Sequence, residues 1–387
     1  MSVPAAARVA QGEISRLAHA GLDSFSYRQQ AARKLGRALP FDGVWWWTTD
    51  PATGFFTSGV FEPCPEDHVL CRGLHTNEFV DPDYNKFRVL ARRSGHVGVL
   101  SRATGGRLER SDRYQQVLVP LGYEHELRLA LVDGSTCWGA LALLREPGSP
   151  EFSPADVRVA ASLGSALTEG LRIGLVLGAV SVDTTPNGPG LMILDDELEI
   201  LTMTPNAERW LEELHDEWSG LPDAIRSVVA CVRQVEDADG AQDHTARARV
   251  RGRSGRWLVI HGSRTRERDG RAGSTAVIIE QAKPAEIAPI IVRAYGLSER
   301  ETNITRLILQ GLSTKEIAAE LYVSAYTIQD HLKSIFNKVG VRSRRELVAR
   351  ILDQYYLPRF GHGDNPPEPD GAVAGLHRSA ETPNRLT

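Results

Sequence analysis

The chain is poor in cysteine. Its 387 residues contain four, Cys64, Cys71, Cys137 and Cys231, and no two form a CxxC pair. That spacing offers no CxxC redox or metal motif and suits a reducing compartment with buried or free thiols. Long apolar runs are also missing. The longest one near a helical pattern, residues 173–182, is about half a bilayer span. No charged segment followed by an apolar core opens the chain, so a signal peptide is not expected. These absences point to a cytoplasmic protein with no membrane partner. No P-loop, Ser-His-Asp order or paired-carboxylate pattern stands out, so the chain is expected to be no enzyme, and no cofactor is expected. Net charge is small too, at −4. A chain that only coated nucleic acid would be basic, so any DNA contact must come from a local patch.

What is present is globular: 42% of residues are hydrophobic and 24% charged, over a length that suits two or three domains. Residues 8–38 carry an apolar helical stripe that Gly21 and residues 24–26 can break. Aromatic-rich strands follow at 43–49 and 55–61, around the turn sequence Asp50-Pro-Ala-Thr-Gly54. Residues 65–72 and 83–93 read as helical and 97–101 as a strand. Strands at 124–132 and 138–145 flank Asp133-Gly134, a hairpin signal. Ser153-x-x-Asp156 then opens a long helix toward Leu177.

A Pro/Gly-rich loop at 183–190 precedes a second α+β pattern. It has strands within 191–202, helices at 206–214 and 221–236, and strands at 246–251, 257–263 and 274–281. Residues 284–296 read as a connector helix, and 357–387 as a disordered tail rich in Pro and Gly.

The most specific pattern lies at 297–356. Ser298-x-x-Glu301, Ser313-x-x-Glu316 and Ser343-x-x-Glu346 each have the form of a capping box, and Ser324 supplies a further N-cap. The helices at 313–321 and 324–339, joined by Tyr322-Val323, have the layout of a helix-turn-helix. Positions 328, 332, 335, 336 and 339 of the second helix face a small core, which leaves Tyr326, Gln329, Asp330, Lys333 and Asn337 outside. Long polar side chains there are what base edges require. From Lys333 to Arg345 there are five basic residues (Lys333, Lys338, Arg342, Arg344, Arg345) and no acid, which suits phosphate contacts. Ser and Thr at helix starts, Ser324 among them, also set free amides beside phosphates.

This segment resembles the LuxR-type helix-turn-helix of bacterial transcription regulators. The likeness rests on Gly296-Leu-Ser-Glu-Arg-Glu301, Gly311-Leu-Ser-Thr-Lys-Glu-Ile-Ala318, Val323-Ser324, Thr327-Ile328, the run from His331 to Val339, and Arg342-Ser-Arg344. The resemblance implies that Gln329, Asp330 and Lys333, with Tyr326, face the major groove of double-stranded DNA. It implies phosphate contacts for Ser313, Lys315, Ser324, Thr327, Lys338, Arg342 and Arg344. Gln329 stands where the family often has Lys, so the family's base preference does not transfer. Leu347, Val348 and Ile351, together with the connector, are candidate contacts of a homodimer.

Upstream, Asp195-Asp196 at a strand end invites a phosphoacceptor receiver, but a receiver alternates strand and helix throughout and this segment does not. Residues 188–283 resemble a PAS domain, on Ile193-Leu-Asp-Asp-Glu-Leu-Glu-Ile200, Asn206-Ala-Glu-Arg-Trp210 and Gly255-Arg-Trp-Leu-Val-Ile-His261. Residues 8–182 resemble a GAF domain, on the run from Leu129 to Leu143 with Phe152-Ser-Pro-Ala-Asp156. The implied fold is two α+β sensor domains followed by an all-α four-helix domain. The implied protein is a DNA-binding transcription regulator that senses a small molecule or partner. RNA polymerase is a further partner open to such a regulator. A constitutive regulator with degenerate sensor folds is the alternative. A haem- or metal-dependent sensor is another, because Cys64, His68, Cys71 and His75 share one helical face; against it, Pro65 places Cys64 at a cap and Gly73 is expected to end the helix before His75. Trp45-Trp46-Trp47 should alternate across a strand and fill core or a dimer contact, with a ligand pocket as the lesser option.

Overall fold

The structure is a computed structural model and describes residues 5–64, 68–177, 188–214, 220–238, 246–269 and 271–356. The expected tail and most of the 183–190 loop lie outside the described residues.

Two helices, α1 (Ala5–Ala18) and α2 (Ser24–Ala38), replace the continuous stripe at 8–38. Asp23 starts the second one afresh, accepting from the Phe25 and Ser26 amides at 2.9 Å. Next come β1 (Gly43–Thr49), β2 (Phe56–Glu62), α3 (His68–Phe79), α4 (Phe87–Leu90), β3 (Val97–Val99), α5 (Leu100–Thr104), β4 (His125–Asp133), β5 (Thr136–Arg145) and α6 (Pro154–Leu177). The five strands form one antiparallel sheet in the order β2-β1-β5-β4-β3. The helix expected over 83–93 shrinks to the single turn of α4, and the strand expected over 97–101 turns helical at Leu100.

One face of this sheet carries Trp46, Leu127, Leu129, Leu141 and Leu143 against α1, α2 and α6. By length and composition alone α6 could cross a membrane. In the fold it is a core helix, with Leu163, Leu167 and Leu171 fully buried. The other face carries Trp45 and Trp47, paired in register with Ala142 and Ala140, so each indole lies beside a small neighbour. Trp47 stacks on Phe56 at 4.6 Å and meets Phe61 and Phe87 edge-on. The three tryptophans therefore fill core on both faces, as their alternation predicted.

A charge network lies on that second face. Glu126 accepts from Arg113 Nη2 at 2.8 Å and from Arg128 Nε at 2.8 Å, and Arg128 Nη1 donates to Glu78 Oε2 at 2.7 Å. All four side chains are buried. Burial alone would push the Glu126 carboxyl up, but the two guanidinium groups hold it below the usual carboxylate range.

The second unit comprises β6 (Gly190–Leu194), β7 (Ile200–Met203), α7 (Pro205–Leu214), α8 (Asp223–Ala238), β8 (Ala246–Arg251), β9 (Trp257–Arg266) and β10 (Ala272–Gln281). Its antiparallel sheet has the order β7-β6-β10-β9-β8. Trp210, Ile225, Val228 and Val229 from the two helices pack on Leu194, Leu258, Ile260 and Ile279. Asp195 closes the β6–β7 hairpin by accepting from the Glu197 and Glu199 amides, and Asp196 pairs with Arg264 at 2.7 Å. Both carboxylates are thus engaged at the hairpin.

The two units share buried polar contacts. His75 Nε2 lies 3.1 Å from Asp223 Oδ1, and Asp50 accepts from both the Arg249 amide at 2.9 Å and its Nε at 3.1 Å. This places His75 differently from the helical-face expectation. α3 runs on through Gly73, so the helix does not end before His75, and the imidazole faces the carboxylate of α8. Cys64 is exposed, and the side chains of His68 and Cys71 lie outside the described residues.

The connector α9 (Pro284–Ala294) ties both units to the C-terminal helices. Its Ile287, Ile290, Ile291 and Ala294 join the first core, and Val292 joins the last one. Arg247 of β8 pairs with its Glu286. A dimer contact through this apolar face is therefore corrected: the face is buried within the chain. At Gly296 the backbone turns out of α9 with φ +67°, the left-handed region that favours glycine; the Arg172 guanidinium of α6 lies beside it.

Candidate nucleic-acid interface

Four helices come after the connector: α10 (Glu299–Leu309), α11 (Thr314–Glu320), α12 (Ala325–Val339) and α13 (Arg344–Tyr356). Local chemistry sets their starts. The Ser298 and Ser313 hydroxyls each accept from the amide three residues on, while Glu301 and Glu316 accept the serine amides at 2.7 and 2.6 Å. The third expected box is only half formed. Ser343 Oγ accepts from the Glu346 amide, but Glu346 Oε2 takes the Arg342 amide at 2.8 Å, one residue further back. Ser324 accepts from the Thr327 amide at 3.1 Å, and α12 ends at Gly340 in the left-handed region.

One core holds these helices: Ile304, Leu307 and Ile308 of α10, Ile317 of α11, Ile328, Ile335 and Val339 of α12, and Leu347 and Ile351 of α13. Val292, Leu297 and Val341 also belong to it, although no helical stripe marks them. Leu297 and Val341 sit at helix junctions, where the 3.6-residue period does not reach, and Val292 lies on α9 off the stripe of Ile287, Ile290, Ile291 and Ala294. The dimer assignment of Leu347, Val348 and Ile351 is corrected by the same packing. Leu347 and Ile351 are fully buried in their own domain, and Val348 packs half-buried against it.

The outer face of α12 presents Tyr326, Gln329, Asp330, Lys333 and Asn337, all exposed. Lys333 Nζ lies 3.2 Å from Asp330 Oδ1, a solvent-facing pair one turn apart. Exposed around it are Ser313, Lys315, Ser324, Thr327 and Arg342. Tyr322, in the turn ahead of α12, is 95% exposed with φ +54°. No sequence period marks it, because a turn residue belongs to neither helix.

Two of the expected phosphate contacts have inward partners. Lys338 Nζ donates to Glu301 Oε2 at 2.6 Å, and Arg344 donates to the carbonyls of Ile308 and Leu312. Lys338 ties α12 to α10, while Arg344 closes the α10–α11 turn. Glu301 is buried. Burial would push its carboxyl up, but Lys338, Ser334 at 2.6 Å and Ser298 hold it down to about 2. Among the described residues, the free cations of the face are therefore Lys315, Arg342 and Arg345, with Lys333 loosely held.

A two-helix turn of this build, with a polar exposed second helix on an apolar base, defines a helix-turn-helix domain. Residues 296–351 match the GerE family, described as bacterial regulatory proteins, luxR family. Over 75 residues the chain is 37% identical to the HTH-type transcriptional regulator MalT of Serratia proteamaculans (strain 568); the match covers 19% of this chain and 8% of that protein. Among solved structures, the chain is similar to a phage VqmA–DPO complex, with 22% identity, 43% of this chain and 82% of that chain covered, and a TM-score of 0.23. The Vibrio cholera VqmA–ligand–DNA complex gives 18%, 43%, 82% and 0.21 respectively.

Proposed function

We propose that this chain is a cytoplasmic, sequence-specific DNA-binding transcription regulator that acts as a homodimer and carries out no catalysis of its own. The carrying observation is the division of α12: Ile328, Ile335 and Val339 are buried, while Tyr326, Gln329, Asp330 and Lys333 are exposed together beside free cations. A rigid helix with a polar outer face suits the major groove, and two such units suit half-sites one helical turn apart. The first two units are read as GAF-like and PAS-like sensors, whose signal reaches the helix-turn-helix through α9.

Selection of bound sequences from random duplex DNA by the full chain tests this. Lys333→Ala should change the preferred bases at one position. Arg342→Ala should weaken all sequences alike and reduce the salt slope by about 1. A chain that selects no sequence at low salt would sink the proposal.

One observation supports the constitutive alternative. The second face of the first sheet, where a GAF-like domain would cup a ligand, is filled by Trp45, Trp47, Phe56 and Phe87. An effector must therefore enter elsewhere.

A further inference from the structure

Where the first two units meet, there is a cavity of about 500 Å³. That is within the range of pockets that hold small organic ligands, about 300–1,000 Å³. The start of α2, the ends of β1, α6 and α7, the middle of β2 and the β8–β9 turn all contribute to it. Phe25, Leu175, Leu214 and Val250 give it apolar walls.

Ser24 Oγ and the Trp257 indole Nε1 are buried and find no hydrogen-bond partner among the described residues. Both atoms lie beneath the cavity surface, as do the orphaned indole nitrogens of Trp45, Trp46 and Trp47, so the charges of the lining are the guide to a ligand. Four arginines line the cavity against two carboxylates, Asp23 and Glu213. Asp23 is spent on capping α2, and Glu213 accepts from the Ser254 amide at 3.0 Å. Arg249 is held by Asp50. Arg253 is exposed at the rim, with no ion pair among the described residues.

We infer that this cleft binds a small organic carboxylate with an apolar body, its anionic end toward Arg253. The wall leads directly to the connector. Trp257 shares a core cluster with Ile287, Ile290 and Ile291 of α9, and its carbonyl accepts from the Ala282 amide at 2.9 Å. A ligand that clamps the two units thus acts on the helix carrying the DNA-binding domain. The ligand's effect on DNA binding rests on the regulator reading, whereas the site itself does not.

The test titrates the full chain calorimetrically with phenylacetate, indole-3-acetate and hexanoate, using phenylacetamide and inorganic phosphate as comparators. At least one carboxylate should saturate with a dissociation constant below about 1 mM, with phenylacetamide and phosphate weaker by about tenfold or more. Arg253→Glu, an exposed change that spares the fold, should weaken the carboxylate by about tenfold. Saturation by none of the three, equal binding of the amide or phosphate, or binding indifferent to Arg253→Glu overturns the site. DNA binding by the same samples separates the two readings. Intact DNA binding without carboxylate binding sinks only the site, and carboxylate binding without DNA binding sinks only the regulator.

Discussion

Replacing Glu126 by alanine is expected to destabilise the first sheet unit by about 3–5 kcal/mol, the ordinary cost of leaving buried charges without their partner. Arg113 and Arg128 both depend on this carboxylate, and neither can move to water, since both are fully covered. Glu78 still holds one nitrogen of Arg128, but Arg113 would keep only Asn77, the Tyr84 carbonyl and the more distant Asp83. The melting temperature of the unit should fall by about 10 °C, read by near-ultraviolet circular dichroism, in which its tryptophans dominate. Glu126→Gln should cost less, because the amide oxygen can still accept one guanidinium bond. Equal stability of the alanine variant and the native chain would refute this account of the network.

Glu301 gives the second large effect, and it separates folding from DNA contact. Its carboxyl is held to about 2 in the folded chain against an ordinary value near 4.5. A depressed acid stabilises above its unfolded value and loses that contribution as pH falls through its folded value. The helix-turn-helix should therefore weaken between pH 4.5 and about 2, and Glu301→Gln should flatten that slope. At neutral pH Lys338→Ala should cost about 2 kcal/mol, since it strips a charged hydrogen bond from a buried carboxylate. The double variant Glu301→Ala, Lys338→Ala should cost less than the sum of the single changes, because each single change strands the other partner. Amide hydrogen exchange across α12 measures this directly. If Lys338→Ala leaves exchange unchanged yet weakens DNA binding, Lys338 is a phosphate ligand and the link to Glu301 is incidental.

Much of the helix-turn-helix domain was legible in the sequence because its rules are local. A Ser followed three residues later by Glu closes its bonds within one turn, and the period of Ile328, Leu332, Ile335 and Val339 marks the buried face. Period-2 alternation likewise placed Trp45, Trp46 and Trp47 on opposite faces of one strand. Three-dimensional proximity decided the rest. Glu126 and Arg128 alternate with leucines in a way that equally fits a solvated strand, and only the layer of α3 to α5 over that face makes them a buried network. Lys338 and Arg344 read as free cations in a basic run, until Glu301, 37 residues away, and the carbonyls of Ile308 and Leu312 came within reach. Leu347 and Ile351 read as a dimer stripe because an amphipathic helix does not say what covers it.

The sequence by itself determined that the chain carries a helix-turn-helix with a polar outer face at Gln329, Asp330 and Lys333, since capping and helical period act within a few residues. Only the tertiary structure decided which charges are spent inward, that Asp50 and His75 lock the two sheet units together, and that a cleft lined by Ser24 and Trp257 opens between them. Those depend on long-range packing, which brings together residues that no local period relates.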